Sequence, residues 1–257
     1  MEEATLARLG ATLRRIPGAQ IPLDARVKLH ARRELRAAER REAELAERDR
    51  RWIASLVGRR DLRLNVGSSG EHVDGWINAD LLRDPAGHCL RMDATQRWPF
   101  EDGSAEAVNS EHVVEHLERA GAAVFFREAF RVLRPGGVIR TSTPDLRGIA
   151  EAYLAADPAV LESHRSHGYQ ARNHADLVNN YVQMHGHLHI YDFETLELLL
   201  SEAGFVQVER AEFGQSRHPV LSDVDRHDTG ELRALVVCVD AVRPPDAGAR
   251  RAPAAAA

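Results

Sequence analysis

Residues 62–70 read Leu-Arg-Leu-Asn-Val-Gly-Ser-Ser-Gly, an apolar strand pattern that runs directly into a turn of small residues. Small side chains at such a turn let the backbone approach a ligand closely. In open α/β sheets, ligands bind beyond the carboxyl ends of the strands. The first turn, residues 67–70, is therefore where the sequence predicts a binding site.

Strand and helix patterns alternate on the carboxyl side of this turn. Further strands are predicted at residues 76–80, 90–93, 105–109, 138–142, 205–213 and 233–242. Helical patterns are predicted from Glu111, over 125–133, through much of 146–191, and over 193–203 before Gly204. This alternation predicts an α/β fold, a doubly wound Rossmann-like sheet that is mostly parallel.

On the amino side, residues 1–58 are predicted to form a helical extension, with helices over 5–16 and 23–57. Dense alternation of Arg and Glu is typical of a solvated helix with intrahelical ion pairs. The alternative is a lid or a dimer arm, which would make the protein a homodimer through these helices. The main domain is assigned to 59–243, and the Pro/Ala/Gly-rich tail 244–257 is predicted to be disordered.

Composition excludes several classes of function. The 257 residues carry a net charge of −5, so a generally basic nucleic-acid-binding surface is not expected. No apolar run reaches the roughly 18 residues of a membrane span. The acidic start, Met1-Glu2-Glu3, lacks the apolar stretch of a secretory signal. Two cysteines cannot build a disulfide framework, which favours the cytoplasm.

The first turn does not fit three common phosphate or nucleophile motifs. Ser69 stands where a dinucleotide fingerprint needs its second glycine, which disfavours an NAD-linked oxidoreductase. The frame of a nucleophile elbow is broken, and a phosphate-binding loop would need a lysine. Asp80, at the end of the second strand, can accept ribose hydroxyls, and Asp93 can accept an amino group. Together these features predict a nucleoside cofactor without a pyrophosphate, of which S-adenosylmethionine (SAM) is the commonest.

Five further segments strengthen this interpretation. They are 75–80 (Gly-Trp-Ile-Asn-Ala-Asp), 92–94 (Met-Asp-Ala), 98–104 (Trp-Pro-Phe-Glu-Asp-Gly-Ser), 109–117 (Asn-Ser-Glu-His-Val-Val-Glu-His-Leu) and 131–137 (Arg-Val-Leu-Arg-Pro-Gly-Gly). With 64–70, they make residues 62–242 resemble the class I SAM-dependent methyltransferases, in particular the small group with a Leu-Asn-x-Gly-Ser first turn.

The resemblance implies a sheet with an antiparallel last strand pair and a set of cofactor-binding residues. These residues are Asn65, Gly67, Ser68, Ser69 and Gly70 near the methionine moiety, Asp80 and Leu81 at the ribose, Asp93 and Ala94 at the adenine, and Ser110 and Glu111 beside the cofactor.

Two departures from the family pattern lie in the turn itself. Asn65 replaces the usual first-strand acid and Ser69 replaces a glycine. They keep open a catalytically inactive SAM-fold binding protein as an alternative. Asp80 also follows Gly67 by only 13 residues, against about 20 in the dinucleotide-binding analogue, which predicts an abbreviated first helix.

Thirteen histidines mark the expected substrate side, densest in 185–189, His-Gly-His-Leu-His. His112, His187 and His189 are candidates for a catalytic base, because an imidazole titrates near neutrality. Glu115 could orient a histidine. Candidates for substrate binding are His116, Arg172, His185 and Tyr191. No metal is expected, since no cysteine or carboxylate stands at a clear ligand spacing from the dense histidine cluster.

The polar stretch 153–190 follows the fifth predicted strand and is expected to cap the substrate, because such loops carry specificity. The resulting hypothesis is methyl transfer to an oxygen or nitrogen atom of a polar small molecule, such as a sugar or a natural-product intermediate. A methyltransferase acting on protein or on cell-envelope glycan remains an alternative.

Overall fold

The structure is a computed structural model, and it describes residues 23–82, 84, 86–226 and 230–246. The predicted helix over 5–16 and most of the predicted tail lie outside these residues. The chain divides into two units, with the boundary between Trp52 and Ile53. Helix α1, Leu23–Ser55, spans that boundary. Exposed ion pairs on α1, such as Arg50 Nη2 to Glu47 Oε2 at 2.5 Å, agree with the expected charge-laced surface.

A seven-stranded sheet organises the second unit, in the order β3-β2-β1-β4-β5-β7-β6. The strands are β1 Leu62–Val66, β2 Ile77–Asp80, β3 Leu90–Arg91, β4 Ala105–Glu111, β5 Leu133–Pro144, β6 Val206–Ala211 and β7 Val236–Val242. Strands β1 to β5 pair in parallel, while β7 lies antiparallel to both β5 and β6. This confirms the predicted Rossmann-like fold and its antiparallel end. Strand order reverses between β1 and β4, where such folds bind their ligands.

Within the described part of this unit, five helices follow α1. They are α2 Arg119–Val132, α3 Leu146–Ala155, α4 Pro158–Ser166, α5 His174–Gln183 and α6 Phe193–Ala203. The side chains of Asp145, Asp157, Asn173 and Asp192 accept backbone N–H groups at the starts of α3 to α6. Such caps satisfy N–H groups that have no partner within the helix. Gly204 ends α6 in the left-handed conformation, as its sequence position predicts.

The connection from β1 to β2 differs from the prediction of an abbreviated helix. Residues 67–76 contain no helix and form a loop. The side chain of Asn78 holds this loop, accepting from Val73 N at 2.9 Å and donating to the carbonyl of Trp76 at 3.3 Å. A polar side chain thus takes the place of helical hydrogen bonds.

Two other boundaries also require correction. The helix predicted from Glu111 is instead the end of β4, followed by a 3-10 turn at Val114–His116. Strand β5 starts at Leu133 and runs through the Pro-Gly-Gly segment that was expected to interrupt the chain. The reason is pairing with the end of β7: Arg243 N donates to the Gly137 carbonyl at 2.8 Å.

A charged side chain lies in the middle of the sheet. Arg140 in β5 is completely buried. Its guanidinium donates to Asp240 Oδ1 at 2.8 Å, to Asp225 Oδ2 at 2.7 Å, and to the backbone carbonyl of Gln215. These bonds join β5, β7 and the segment before β7.

Apolar side chains are also buried on the central strands and on α2. Val108 and Ile139 on the central strands and Phe125 and Phe126 on α2 are fully buried. Cys238 is buried without a disulfide, and burial raises the pKa of its thiol. Among the described helices, none combines the length and the apolar character needed to cross a bilayer.

Candidate active site

The first turn folds back onto the end of β2. Gly67 N and Ser68 N both donate to the Ala79 carbonyl, at 2.7 and 3.2 Å. Ser69 N donates to Asp80 Oδ2 at 2.8 Å. The predicted cofactor turn and the predicted ribose-binding acid are therefore in direct contact.

Three asparagine side chains tie neighbouring strands together beneath the turn. Asn109 Nδ2 on β4 donates to Asn65 Oδ1 at 3.0 Å. Asn65 Nδ2 in turn donates to Asn78 Oδ1 on β2 at 2.9 Å and to the Glu71 carbonyl at 3.1 Å. Asn65 donates and accepts at once, which an ionised carboxylate cannot do. This explains why an amide suits the place of the first-strand acid in this chain.

The two acids at the strand ends lie at one edge of the sheet. Strands β2 and β3 are paired, with Asp80 opposite Arg91. Besides Ser69, Asp80 accepts the backbone N–H of Leu82 at 2.8 Å, and Asp93 accepts both the N–H and the hydroxyl of Thr95. Asp93 is exposed.

The other predicted cofactor residues differ in accessibility. Leu81 is 57% exposed. Ser110 is fully buried and its hydroxyl donates to Thr141 Oγ1 at 3.0 Å, so its side chain has no open surface for a ligand. Glu111 accepts Arg226 N at 2.8 Å. The Ala94 carbonyl accepts an indole N–H at 3.1 Å.

A cavity of about 390 Å³ opens beside the turn. Six imidazoles and two phenol rings line it, together with one residue of the cofactor turn. They are His112, His116, His164, His167, His185, His187, Tyr169, Tyr181 and Ser69. Four of the histidines predicted for catalysis or substrate binding are thus brought together.

A buried carboxylate is hydrogen-bonded to one of the histidines that line this cavity. Glu115 is completely buried. Its Oε1 accepts from His112 Nδ1 at 2.9 Å, and its Oε2 accepts from the Thr143 hydroxyl at 2.9 Å. The anticipated orientation of a histidine by Glu115 is therefore present, with His112 as the partner. His112 has φ 53°, so it is not part of a helix with His116. Both nevertheless line the cavity.

A backbone carbonyl holds the ring of His187. Its Nδ1 lies 2.6 Å from the Tyr181 carbonyl, so Nδ1 carries the proton and Nε2 keeps its lone pair. Burial lowers the pKa of His187, which favours the neutral imidazole. The centre of its ring lies 4.9 Å from that of His116. Ligand atoms of Glu115, His116 and His187 all lie within 4.8 Å of one another, a grouping that could hold a metal ion.

Four aromatic or imidazole residues of the cavity lining were not predicted from the sequence. His164 is buried, stacks on Tyr169 with ring centres 4.6 Å apart, and has its pKa lowered by burial. Tyr181 lies near it, and burial raises the pKa of that phenol. His167 completes the group. Residues 164, 167 and 169 stand close together in the polar stretch, but no short motif in it predicts that they meet in a cavity.

Three predicted residues lie outside the cavity lining. His189 packs on Tyr191, with ring centres 4.6 Å apart. Tyr191 is completely buried, and burial raises the pKa of its phenol to about 12. The side chain of Arg172 is 92% exposed and pairs with Asp176 at 3.1 Å.

Comparison with known proteins gives one domain match and a set of similar folds. A family model described as a methyltransferase domain matches residues 76–141. The comparison with curated proteins gives no match. A SAM-dependent methyltransferase from Archaeoglobus fulgidus is similar at 19% identity and a TM-score of 0.44, over 79% of this chain and 94% of that one. One from Mesorhizobium loti is similar at 16% identity and a TM-score of 0.45, over 74% and 95%.

A third similar structure is phosphoethanolamine N-methyltransferase 2 of Haemonchus contortus, in complex with S-adenosyl-L-methionine. Identity is 14% and the TM-score 0.43, over 72% of this chain. The chain spans 49% of that enzyme's length.

The matched segment runs from the residue before β2 into β5 and contains both strand-end acids and the buried carboxylate. This match assigns residues 76–141 to a methyltransferase domain, and the strand order agrees with the Rossmann-like fold predicted for it. The match agrees with the methyltransferase class predicted from the sequence.

Proposed function

We propose that the protein transfers the methyl group of SAM to an oxygen or nitrogen atom of a polar small molecule held in the histidine-lined cavity. One observation carries this proposal: Ser69 belongs both to the cofactor turn and to the cavity wall. A sulfonium methyl group bound at the turn would therefore face the cavity. Methyl transfer requires this proximity, because donor and acceptor must meet in line.

The cofactor is proposed to extend from the turn along the carboxyl edge of β1, β2 and β3. In this arrangement 67–70 approach the methionine moiety, Asp80 and Leu81 the ribose, and Asp93 and Ala94 the adenine. The contact between Ser69 N and Asp80 Oδ2 supports the arrangement, since it holds the turn and the acid at a fixed separation. Asn65 shapes the turn from below, and Glu111 is proposed to border the cofactor at the end of β4. Ser110, which is fully buried, would support this edge without touching the cofactor.

Size and chemistry favour a small acceptor. A cavity of about 390 Å³ falls within the range of roughly 300–1,000 Å³ typical of small-molecule sites. Imidazoles and phenols offer both hydrogen-bond donors and acceptors on flat surfaces, which suits a hydroxylated or amine-bearing molecule. A protein chain or a long glycan would need an open groove.

Transfer to a hydroxyl would proceed by displacement at the methyl carbon. The acceptor oxygen forms the new bond to carbon, the carbon–sulfur bond breaks, and its electron pair stays on sulfur as a neutral thioether. The hydroxyl proton must leave, and we propose His112 as the base that accepts it. Its Nδ1–H is held by Glu115, so Nε2 is the basic nitrogen. His187 is a weaker candidate, because its Nδ1–H partner is a neutral carbonyl and burial lowers its pKa. His189 lies outside the cavity lining.

We propose that the reaction takes place in the cytoplasm and that residues 1–58 form a lid or a dimer arm. Light scattering on the full chain tests the dimer. We expect a mass about twice the 28.6 kDa of one chain. A mass equal to one chain at all concentrations would leave the lid as the role of the extension.

Replacing Gly67 with Ala tests the cofactor site. Gly67 has φ 76°, and a Cβ there would overlap the Val113 side chain. Relieving that overlap should cost about 1–3 kcal/mol, so we expect affinity for SAM to fall at least about tenfold in isothermal titration.

Gly70→Ala is the matched control. Gly70 also has a positive φ, of 91°, but its Cβ would meet no atom within 4 Å. The Gly70→Ala variant carries only the free-energy cost of a positive φ at alanine. Its affinity for SAM should therefore fall less than that of Gly67→Ala. Thermal melts establish that both variants are folded. If the unaltered protein bound neither SAM nor its demethylated product, the proposed function would be wrong.

A further inference from the structure

Three neighbouring side chains, two of which line the cavity, have the chemistry of metal ligands. One atom each from Glu115, His116 and His187 lies within 4.8 Å of the other two. The residues come from separate parts of the chain: the 3-10 turn after β4 and the segment after α5. Their meeting is therefore a property of the tertiary structure.

The orientation of His187 is the one that metal sites use. Its Nδ1–H donates to the Tyr181 carbonyl at 2.6 Å, which points Nε2 and its lone pair the other way. Histidines that bind metals almost always donate their second ring nitrogen to a carbonyl or carboxylate in this manner. The bond fixes both the tautomer and the plane of the ring before any ion binds.

Backbone hydrogen bonds hold the two segments in register. Leu188 N and His189 N both donate to the Glu115 carbonyl, at 2.7 and 3.2 Å. The Glu115 carboxylate is itself held by Thr143 on β5. Because the ligands are carried on anchored backbone, little conformational freedom would be lost on binding an ion.

We propose that Glu115, His116 and His187 bind one divalent transition-metal ion, of which Zn²⁺ and Co²⁺ are the best probes. Two imidazoles and one carboxylate form a set that occurs at catalytic zinc, where a fourth position stays open. Imidazole ligands favour such ions over Mg²⁺ and Ca²⁺, which prefer oxygen. The ion also places a positive charge beside a completely buried carboxylate.

His116 and His187 line the cavity, so the open position faces the proposed acceptor. An acceptor oxygen bound there would be held next to the cofactor turn. Only this role in orienting the acceptor rests on the proposed function, because the metal site itself requires neither SAM nor methyl transfer.

The test uses the full chain without a histidine tag, stripped of metal with a chelator and dialysed. Co²⁺ is titrated with visible absorption as the readout, and Zn²⁺ by calorimetry. We expect one ion per chain and ligand-field bands of a low-symmetry Co²⁺ site. His116→Ala and His187→Ala should each weaken binding at least about tenfold.

His167→Ala is the matched control, since His167 lines the same cavity but its Nδ1 donates to the Ser163 carbonyl at 2.8 Å and it does not belong to the proposed ligand set. It should retain the affinity of the unaltered protein. Circular dichroism confirms that the three variants are folded. If stoichiometric binding is absent, or if both His116→Ala and His187→Ala bind as tightly as the unaltered protein, the metal site does not exist.

A SAM titration on the same metal-free protein separates the two proposals. Binding of SAM without binding of either ion would overturn the metal site and leave the proposed function intact. Binding of the ions without binding of SAM would support the metal site and overturn the proposed function.

Discussion

Arg140→Met is expected to lower the free energy of unfolding by about 3–5 kcal/mol, because it leaves buried carboxylates without their cation. Asp225 and Asp240 are both buried, and each accepts a hydrogen bond from the Arg140 guanidinium. Methionine fills a similar volume, so the loss of unfolding free energy comes mainly from the missing positive charge and not from a cavity. Urea denaturation followed by circular dichroism measures it.

Arg63→Met provides the matched control on β1. Arg63 pairs with Glu106 at 2.6 Å, but its side chain is 47% exposed. Exposed ion pairs contribute about 0–1 kcal/mol, so this variant should unfold close to the unaltered protein. Equal losses in the two variants would show that the charge network around Arg140 does not stabilise the sheet.

His112→Asn is expected to lower kcat by about 10²–10⁴, the range for loss of a general base. Asparagine tolerates the positive φ of position 112, and its amide can still donate to Glu115, but it cannot take up a proton. The affinity for SAM should be unchanged. The acceptor is first found by a mass-shift screen of metabolite extracts with SAM, and kcat is then measured with that acceptor.

His88→Asn is the control for this variant, because His88 is 71% exposed and does not line the cavity. Its turnover should equal that of the unaltered protein. Full turnover by His112→Asn would show that His112 is not the base. If the affinity for SAM fell as much as kcat, His112 would instead belong to the cofactor site.

The sheet was predictable because its signals are local. Leu62–Val66 reads as a strand, and Gly204 marks the end of α6 by its position alone. The missing first helix was not predictable, since the loop that replaces it depends on the side chain of Asn78. The start of β5 was not predictable for a similar reason, because Gly137 pairs with Arg243, which lies far along the chain.

The site was predictable only in part. The dense run at 185–189 and the motif containing His112 pointed to residues that do meet in the cavity. His164 was missed because its position depends on how α4 and α5 pack, which no short motif encodes. Arg140 was missed because its partners, Asp225 and Asp240, lie 85 and 100 residues away.

The hydrogen bonds from Asn109 to Asn65 and from Asn65 to Asn78 determine how the support of the cofactor turn depends on pH. Amide side chains neither gain nor lose protons near neutrality, whereas imidazoles do. The three asparagines beneath the cofactor turn therefore keep the same charge across the pH range in which an ordinary imidazole titrates. A change of pH near neutrality leaves the side-chain hydrogen bonds that shape the turn intact.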